Sequence, residues 1–276
     1  MKIFCLLSAI FLTFTQYIML LDDKNIEYQL INGSKICYHE SGSGNSTIVL
    51  VSGLTLGLET WNSFQEQLSR YARVISYDRT GLGNSDYKPN QKTIDSMVNE
   101  LDILINKLDV NTPIILVGHS VGGHIIKKYT ELFPEKIASV FLIDSYHELF
   151  YKELKNSITE EMWDDYVNSF VNMKSKVSSG VSEELDFYLE LLTSNEKYPI
   201  PTDIPVYMFT SIKEVEVEEK FVEFNKIAYK VHLKLNNQLK KEYKNVNHMI
   251  TDKSSHFIYL DEPELIINEI LKQVAY

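Results

Sequence analysis

The sequence predicts an α/β fold, a mostly parallel, doubly wound sheet with a short helical cap, and three observations predict it. Apolar strand-like runs at 47–52, 73–77, 113–117, 138–143, 205–210 and 245–250 alternate with longer stretches of helical period, the pattern of a parallel sheet covered on both faces. A short antiparallel edge comes before them. About sixty residues then separate the run ending at Ile143 from the one starting at Pro205, far more than a strand normally needs to reach its helix, so they form something of their own.

The elements follow in order. Lys2 and the uncharged run from Ile3 to Leu21 read as an export signal or membrane anchor over 1–21, the one place where membrane contact is expected. The chain is then secreted or membrane-anchored. A true start at Met19 would instead leave it cytoplasmic. Residues 27–31 and 35–39 read as two strands joined at Asn32-Gly33, a dipeptide that accepts the positive φ angles of a tight hairpin. Val98, Leu101, Ile105 and Leu108 share one helical face, as do Leu265, Ile266, Ile270 and Leu271 after Pro263, and both faces should pack on the sheet. In the long insertion, Met162, Tyr166 and Phe170 repeat at helical spacing, as do Leu185, Tyr188, Leu189 and Leu192. Acidic residues including Glu160, Glu161, Glu183 and Glu184 occupy the intervening positions. This is a helical cap at about 146–203, inserted in a single domain over 22–276.

At 276 residues and 44% hydrophobic content the chain supports one large core. A net charge of -11 with scattered lysines offers no basic stripe to neutralise phosphates, which excludes nucleic acid as a partner. Cys5 and Cys37 are too few for a disulfide framework or a zinc cluster, and Cys37 reads as a buried free thiol.

Gly118-His119-Ser120-Val121-Gly122-Gly123 follows the apolar run 113–117 and opens a helical pattern, which puts one serine on a tight turn between a buried strand and a helix. Ile48-Val49-Leu50-Val51-Ser52-Gly53-Leu54, Tyr77-Asp78-Arg79-Thr80-Gly81-Leu82-Gly83-Asn84-Ser85-Asp86 and His256-Phe257-Ile258-Tyr259-Leu260-Asp261-Glu262-Pro263 stand around it in order. In these four stretches the chain resembles the α/β-hydrolase superfamily, in its esterase and lipase-like branch, from about residue 26 to the C-terminus.

The resemblance implies roles. Ser120 is the expected nucleophile, and a serine hydroxyl needs a base to take its proton as it attacks a carbonyl. His256, in the histidine loop, is the expected base. His119, His124, His147 and His248 read as packing or surface residues. The superfamily commonly supplies the orienting acid just past the strand after the cap, which places it at Glu214. Asp144, at the end of the strand before the cap, is the alternative acid. Backbone N–H groups of Val121 and Leu54 are the expected oxyanion donors, although Ser52-Gly53 stands where the superfamily often has His-Gly. Asp78, Arg79, Gly81, Gly83 and Ser85 are expected to fix the bend of a neighbouring loop.

The implied function is a serine hydrolase that cleaves a carboxylic ester or related acyl bond of a small, apolar molecule through an acyl-enzyme, with no metal or organic cofactor. A serine rather than an aspartate at position 120 argues against haloalkane and epoxide hydrolysis. An acyltransferase, or a ligand receptor that has lost turnover on the same scaffold, is the alternative, since fold alone does not fix function.

Overall fold

The computed structural model describes residues 26–111, 113–217 and 219–274; the apolar segment 1–21 lies outside them. Eight strands form one sheet in the order β1-β2-β4-β3-β5-β6-β7-β8. They are β1 (Glu27–Ile31), β2 (Ser34–Ser41), β3 (Thr47–Val51), β4 (Arg73–Tyr77), β5 (Ile114–His119), β6 (Ile137–Ile143), β7 (Val206–Ser211) and β8 (Val246–Thr251). The β1-β2 hairpin turns at Asn32 (φ 50°) and Gly33 (φ 84°), and β2 lies antiparallel to β4. Every other pairing is parallel. All residues of β3 and β5 are buried, as strands covered by helices on both faces must be.

Helices α1 (Asn62–Leu68), α2 (Ile94–Lys107), α3 (Gly122–Leu132), α4 (Phe150–Lys155), α5 (Glu160–Lys174), α6 (Ser179–Leu191), α7 (Glu219–Glu242) and α8 (Pro263–Leu271) surround the sheet. Val98, Leu101 and Ile105 of α2 and Ile266 and Ile270 of α8 are buried, as their spacing requires. Among the described residues no helix is long and apolar enough to cross a membrane.

The insertion between β6 and β7 consists of α4, α5 and α6. The Thr159 side chain caps α5 by accepting from the Met162 N–H. Trp163, Tyr166 and Phe170 of α5 and Tyr188 of α6 are all buried. The Tyr151 and Tyr166 hydroxyls both meet the Tyr188 hydroxyl, at 2.8 and 2.6 Å, and Tyr166 stacks on Phe224 of α7 at 5.0 Å. These aromatics bind the insertion to itself and to α7. Gly180, at the start of α6, lies so close to Gly81, in the loop after β4, that an added Cβ would collide with the Gly81 carbonyl.

Candidate active site

Ser120 sits where β5 gives way to α3, with φ at 52°, a left-handed conformation that a serine adopts only when its surroundings impose it. The surroundings here are two glycines and a hydrogen bond. A Cβ on Gly118 would come within 2.8 Å of the Gly122 backbone, and one on Gly122 would run into the Val51 carbonyl. The Ser120 N–H donates to the Ile143 carbonyl at 3.0 Å. Only 1% of the residue is exposed, and its Oγ has no hydrogen-bond partner.

His256 lies in the loop after β8, which Ser255 ties down by donating from N and Oγ to Asp261 Oδ2, each at 2.6 Å. The elbow also anchors this loop. His119 Nε2 lies 3.0 Å from the His256 carbonyl, and a carbonyl only accepts, so this nitrogen carries the proton. Burial pushes the His119 pKa well below its usual value, with the neighbouring His256 adding to the effect, which keeps the ring neutral in that tautomer. His119 is the packing residue its position suggests, and it braces the backbone of His256.

His256 Nδ1 is 2.7 Å from Asp144 Oδ2. Asp144 is the residue after β6, with φ at 43°, and this turn aims its buried carboxylate across the strand ends. Asp144 Oδ1 accepts from the Ser211 N–H at 2.8 Å and from His232 Nε2 at 3.1 Å. Burial alone would raise the Asp144 pKa, but the hydrogen bonds from His232 and His256 outweigh it and hold the group below the usual carboxylate range. Because the carboxylate only accepts, His256 Nδ1 carries a proton, and Nε2 is the ring nitrogen that faces away from Asp144. That Nε2 is buried and has no hydrogen-bond partner.

Glu214 is not brought to His256. The end of β7 supports Asp144: the Ser211 N–H goes to Asp144 and its Oγ donates to the Ser254 carbonyl at 2.6 Å. Beyond it the chain turns to solvent, leaving Ile212, Lys213 and Glu214 exposed. Glu214 lines a shallow groove with Val215, Val217 and Val222. The carboxylate that the structure places beside His256 is Asp144, the alternative of the two expected positions.

Leu54 is buried in the loop after β3, and Val121 is the N-cap of α3. Ser52 supports this loop: its Oγ accepts from Trp61 Nε1 at 2.8 Å and donates to the Gly57 carbonyl at 3.0 Å. Arg79 supports it from below, donating to the Ser52 and Gly53 carbonyls at 2.8 and 2.7 Å. The same guanidinium pairs with Glu184 of α6, which also takes Lys92 at 3.1 Å and the Thr55 N–H at 3.4 Å. Glu184, an intervening polar position by spacing, is fully buried.

Asp78 and Ser85 hold the loop after β4 as expected. Asp78 accepts from the Leu58 and Asn84 N–H groups at 2.7 and 2.8 Å, and Ser85 Oγ donates to the Asp78 carbonyl at 2.7 Å. Cys37 is a buried free thiol. Two participants escaped the sequence reading, His232 and Glu184. The available signal for His232 was a polar pair at i, i+4, His232 and Asn236, within the buried stripe Phe224, Ala228, Val231, Leu235 and Leu239 of α7. Among the described residues no group of three or more His, Cys, Asp or Glu side chains is arranged to hold a metal ion.

The chain is similar to several known proteins. An uncharacterized protein of Bacillus subtilis, YqjL, is 31% identical over 106 residues, 38% of this chain and 42% of that protein. The 2-hydroxy-6-oxononadienedioate/2-hydroxy-6-oxononatrienedioate hydrolase of Escherichia coli K12 is 30% identical over 114 residues, 40% of this chain and 39% of that one. The chain thus spans well under half the length of the curated relatives it matches. Among solved structures, a thermophilic esterase from Thermogutta terrifontis superposes with a TM-score of 0.62 at 16% identity, covering 91% of this chain and 99% of that one. An epoxide hydrolase from Bacillus megaterium does so with a TM-score of 0.66 at 15% identity, over 90% and 99%. These likenesses show a shared fold. A model of the alpha/beta hydrolase fold family matches residues 46–192, more than half of the chain, and the chain belongs to that family.

Proposed function

We propose that the protein is a serine hydrolase that cleaves a carboxylic ester or related acyl bond of a small molecule, with Ser120 as nucleophile, His256 as general base and Asp144 as its orienting acid. The observation that carries this reading is the His256 Nδ1 contact with Asp144 Oδ2 at 2.7 Å. His256 Nε2 and Ser120 Oγ are both buried without a hydrogen-bond partner. In the absence of substrate such pairs are often loose and tighten only in the Michaelis complex.

Ser120 Oγ attacks the acyl carbonyl as His256 Nε2 takes its proton, and Asp144 stabilises the imidazolium that forms. The oxyanion is met by the N–H groups of Val121 and Leu54. His256 then returns the proton to the leaving alcohol, and water, activated in the same way, releases the acid from Ser120.

A binding protein without turnover is the second reading, favoured by the absence of a hydrogen bond on Ser120 Oγ. Purified protein should hydrolyse short p-nitrophenyl esters and take a fluorophosphonate on Ser120 alone, and Ser120→Ala should do neither. Labelling without ester turnover would favour the binding protein, and labelling that persists in Ser120→Ala would overturn the assignment of the nucleophile.

A further inference from the structure

Asp144 carries two histidines. Its Oδ2 meets His256 Nδ1 alone, while Oδ1 takes both the Ser211 N–H at 2.8 Å and His232 Nε2 at 3.1 Å. Two donors converging on one oxygen fix the plane of a carboxylate, which leaves the other oxygen to face its partner in a single orientation.

The donors come from different elements. Ser211 ends β7, and His232 lies in the middle of α7, 88 residues from Asp144 in sequence. His232 is 1% exposed. Tyr146 stands edge-on to its ring at 4.7 Å and Phe150 at 6.0 Å, and the Tyr146 ring is also parallel to that of His256 at 6.2 Å. The two histidines therefore share one aromatic wall.

The proton on His232 is assigned by its partners. Nε2 faces Asp144 Oδ1 at 3.1 Å and Asn236 Nδ2 at 3.4 Å. The carboxylate is nearer and can only accept, and Asn236 Nδ2 has a better acceptor in Thr210 Oγ1 at 2.9 Å, so Nε2–H donates to Asp144. His232 Nδ1 is buried without a partner, a cost the fold bears for placing a histidine rather than an apolar residue here.

We infer that His232 is a positioning residue for acyl transfer: its Nε2–H, with the Ser211 N–H, locks Oδ1 of Asp144 so that Oδ2 holds His256 in the tautomer and orientation that serve Ser120. This rests on the reading of Asp144 as the orienting acid. A buried carboxylate that loses one of three donors is less well stabilised as an anion and freer to rotate. Both changes reach Ser120 through the imidazole and nothing else, so substrate binding is spared.

The test compares the rate of fluorophosphonate labelling at Ser120, and kcat and KM for p-nitrophenyl butyrate, in the full chain with His232→Gln, His232→Asn and His232→Leu. Gln can place an amide N–H where Nε2 stands; Asn, being shorter, cannot. Labelling rate and kcat should fall about ten- to hundredfold in Asn and Leu variants, with KM within about threefold, and Gln should recover to within about threefold of the parent. In an Asp144→Asn background His232→Asn should change the rate less than about twofold, because the two act as one unit. Equal losses in Gln and Asn, or an undiminished effect of His232→Asn without the Asp144 carboxylate, would reduce His232 to packing. Normal rates in all three His232 variants while Asp144→Asn is inactive would overturn this inference alone. Normal rates in Asp144→Asn itself would overturn the assignment of the acid beneath it.

Discussion

Asp144 and Glu184 are both buried carboxylates, and they are held in opposite ways. Asp144 is held by two imidazoles and a backbone N–H, donors whose directions are sharp and whose charge is optional. Glu184 is held by Arg79 and Lys92, two permanent cations. For Glu184 too burial works to raise the pKa, and the charges of Arg79 and Lys92 then outweigh it. The first arrangement suits a group that must orient a base and answer a proton moving nearby. The second suits a fastening, because a buried ion pair is costly to break and gains little from fine orientation. Here it fastens α6 to the loop that carries Leu54.

The largest expected effect tests the oriented side. Asp144→Asn should keep the fold, as judged by circular dichroism, and lower kcat for p-nitrophenyl butyrate by up to about ten-thousandfold. Glu214→Gln should stay within about twofold of the parent. The reverse ranking would break the comparison at its root.

Next comes the fastened side, where Glu184→Leu leaves Arg79 and Lys92 buried without their anion. We expect about 3–5 kcal/mol of lost stability in urea unfolding, while the protein that remains folded still takes fluorophosphonate on Ser120. A smaller loss belongs to Gly180→Ala. Its methyl group would press on the Gly81 backbone, and about 1–3 kcal/mol should go the same way.

The smallest effect concerns pH and a third buried carboxylate, Glu148, which pairs with Lys127 at 2.8 Å beside His124. Burial, with Lys127 adding to it, depresses the His124 pKa from 6.5 to about 3. Below pH 6.5 the unfolded chain therefore binds a proton that the folded chain refuses, and stability present above that pH is lost as pH falls toward 3. Between pH 7.5 and 5.5 this single site should remove about 1.4 kcal/mol. His124→Gln should reduce the pH dependence of the urea midpoint by that amount, and an unchanged dependence would assign it elsewhere.

The sheet was legible because parallel strands buried on both faces leave continuous apolar runs such as Ile48–Val51 and Ile114–Val117. Ser120 and His256 were legible because a serine between two glycines, and a histidine ahead of a proline-started helix, are local patterns. The carboxylate that meets His256 was not, since Asp144 and Glu214 each follow a strand. What decides between them is the φ of 43° at Asp144 and the Ser211 N–H that meets it, neither of which is written in residue order. Glu184 misleads for a related reason: helical spacing assigns it to a polar face, and only Arg79, 105 positions away, makes that face an interior. His232 depends on a partner 88 positions distant, and a histidine in an amphipathic stripe looks like any other.

The pairing of β5 with β6 puts His119 opposite Ile143, so Ser120 and Asp144 are the next residues out along adjacent parallel strands. Their separation is thus measured by the sheet itself, whose strands lie about 4.8 Å apart, and the Ser120 N–H bond to the Ile143 carbonyl ties the two strand ends together. Ser120 and Asp144 have already lost their freedom when the sheet forms. Of the three side chains only the imidazole arrives on a loop, so the entropy of assembling the trio is concentrated in the few residues around His256, and a change that loosens this loop should cost turnover long before it costs the fold.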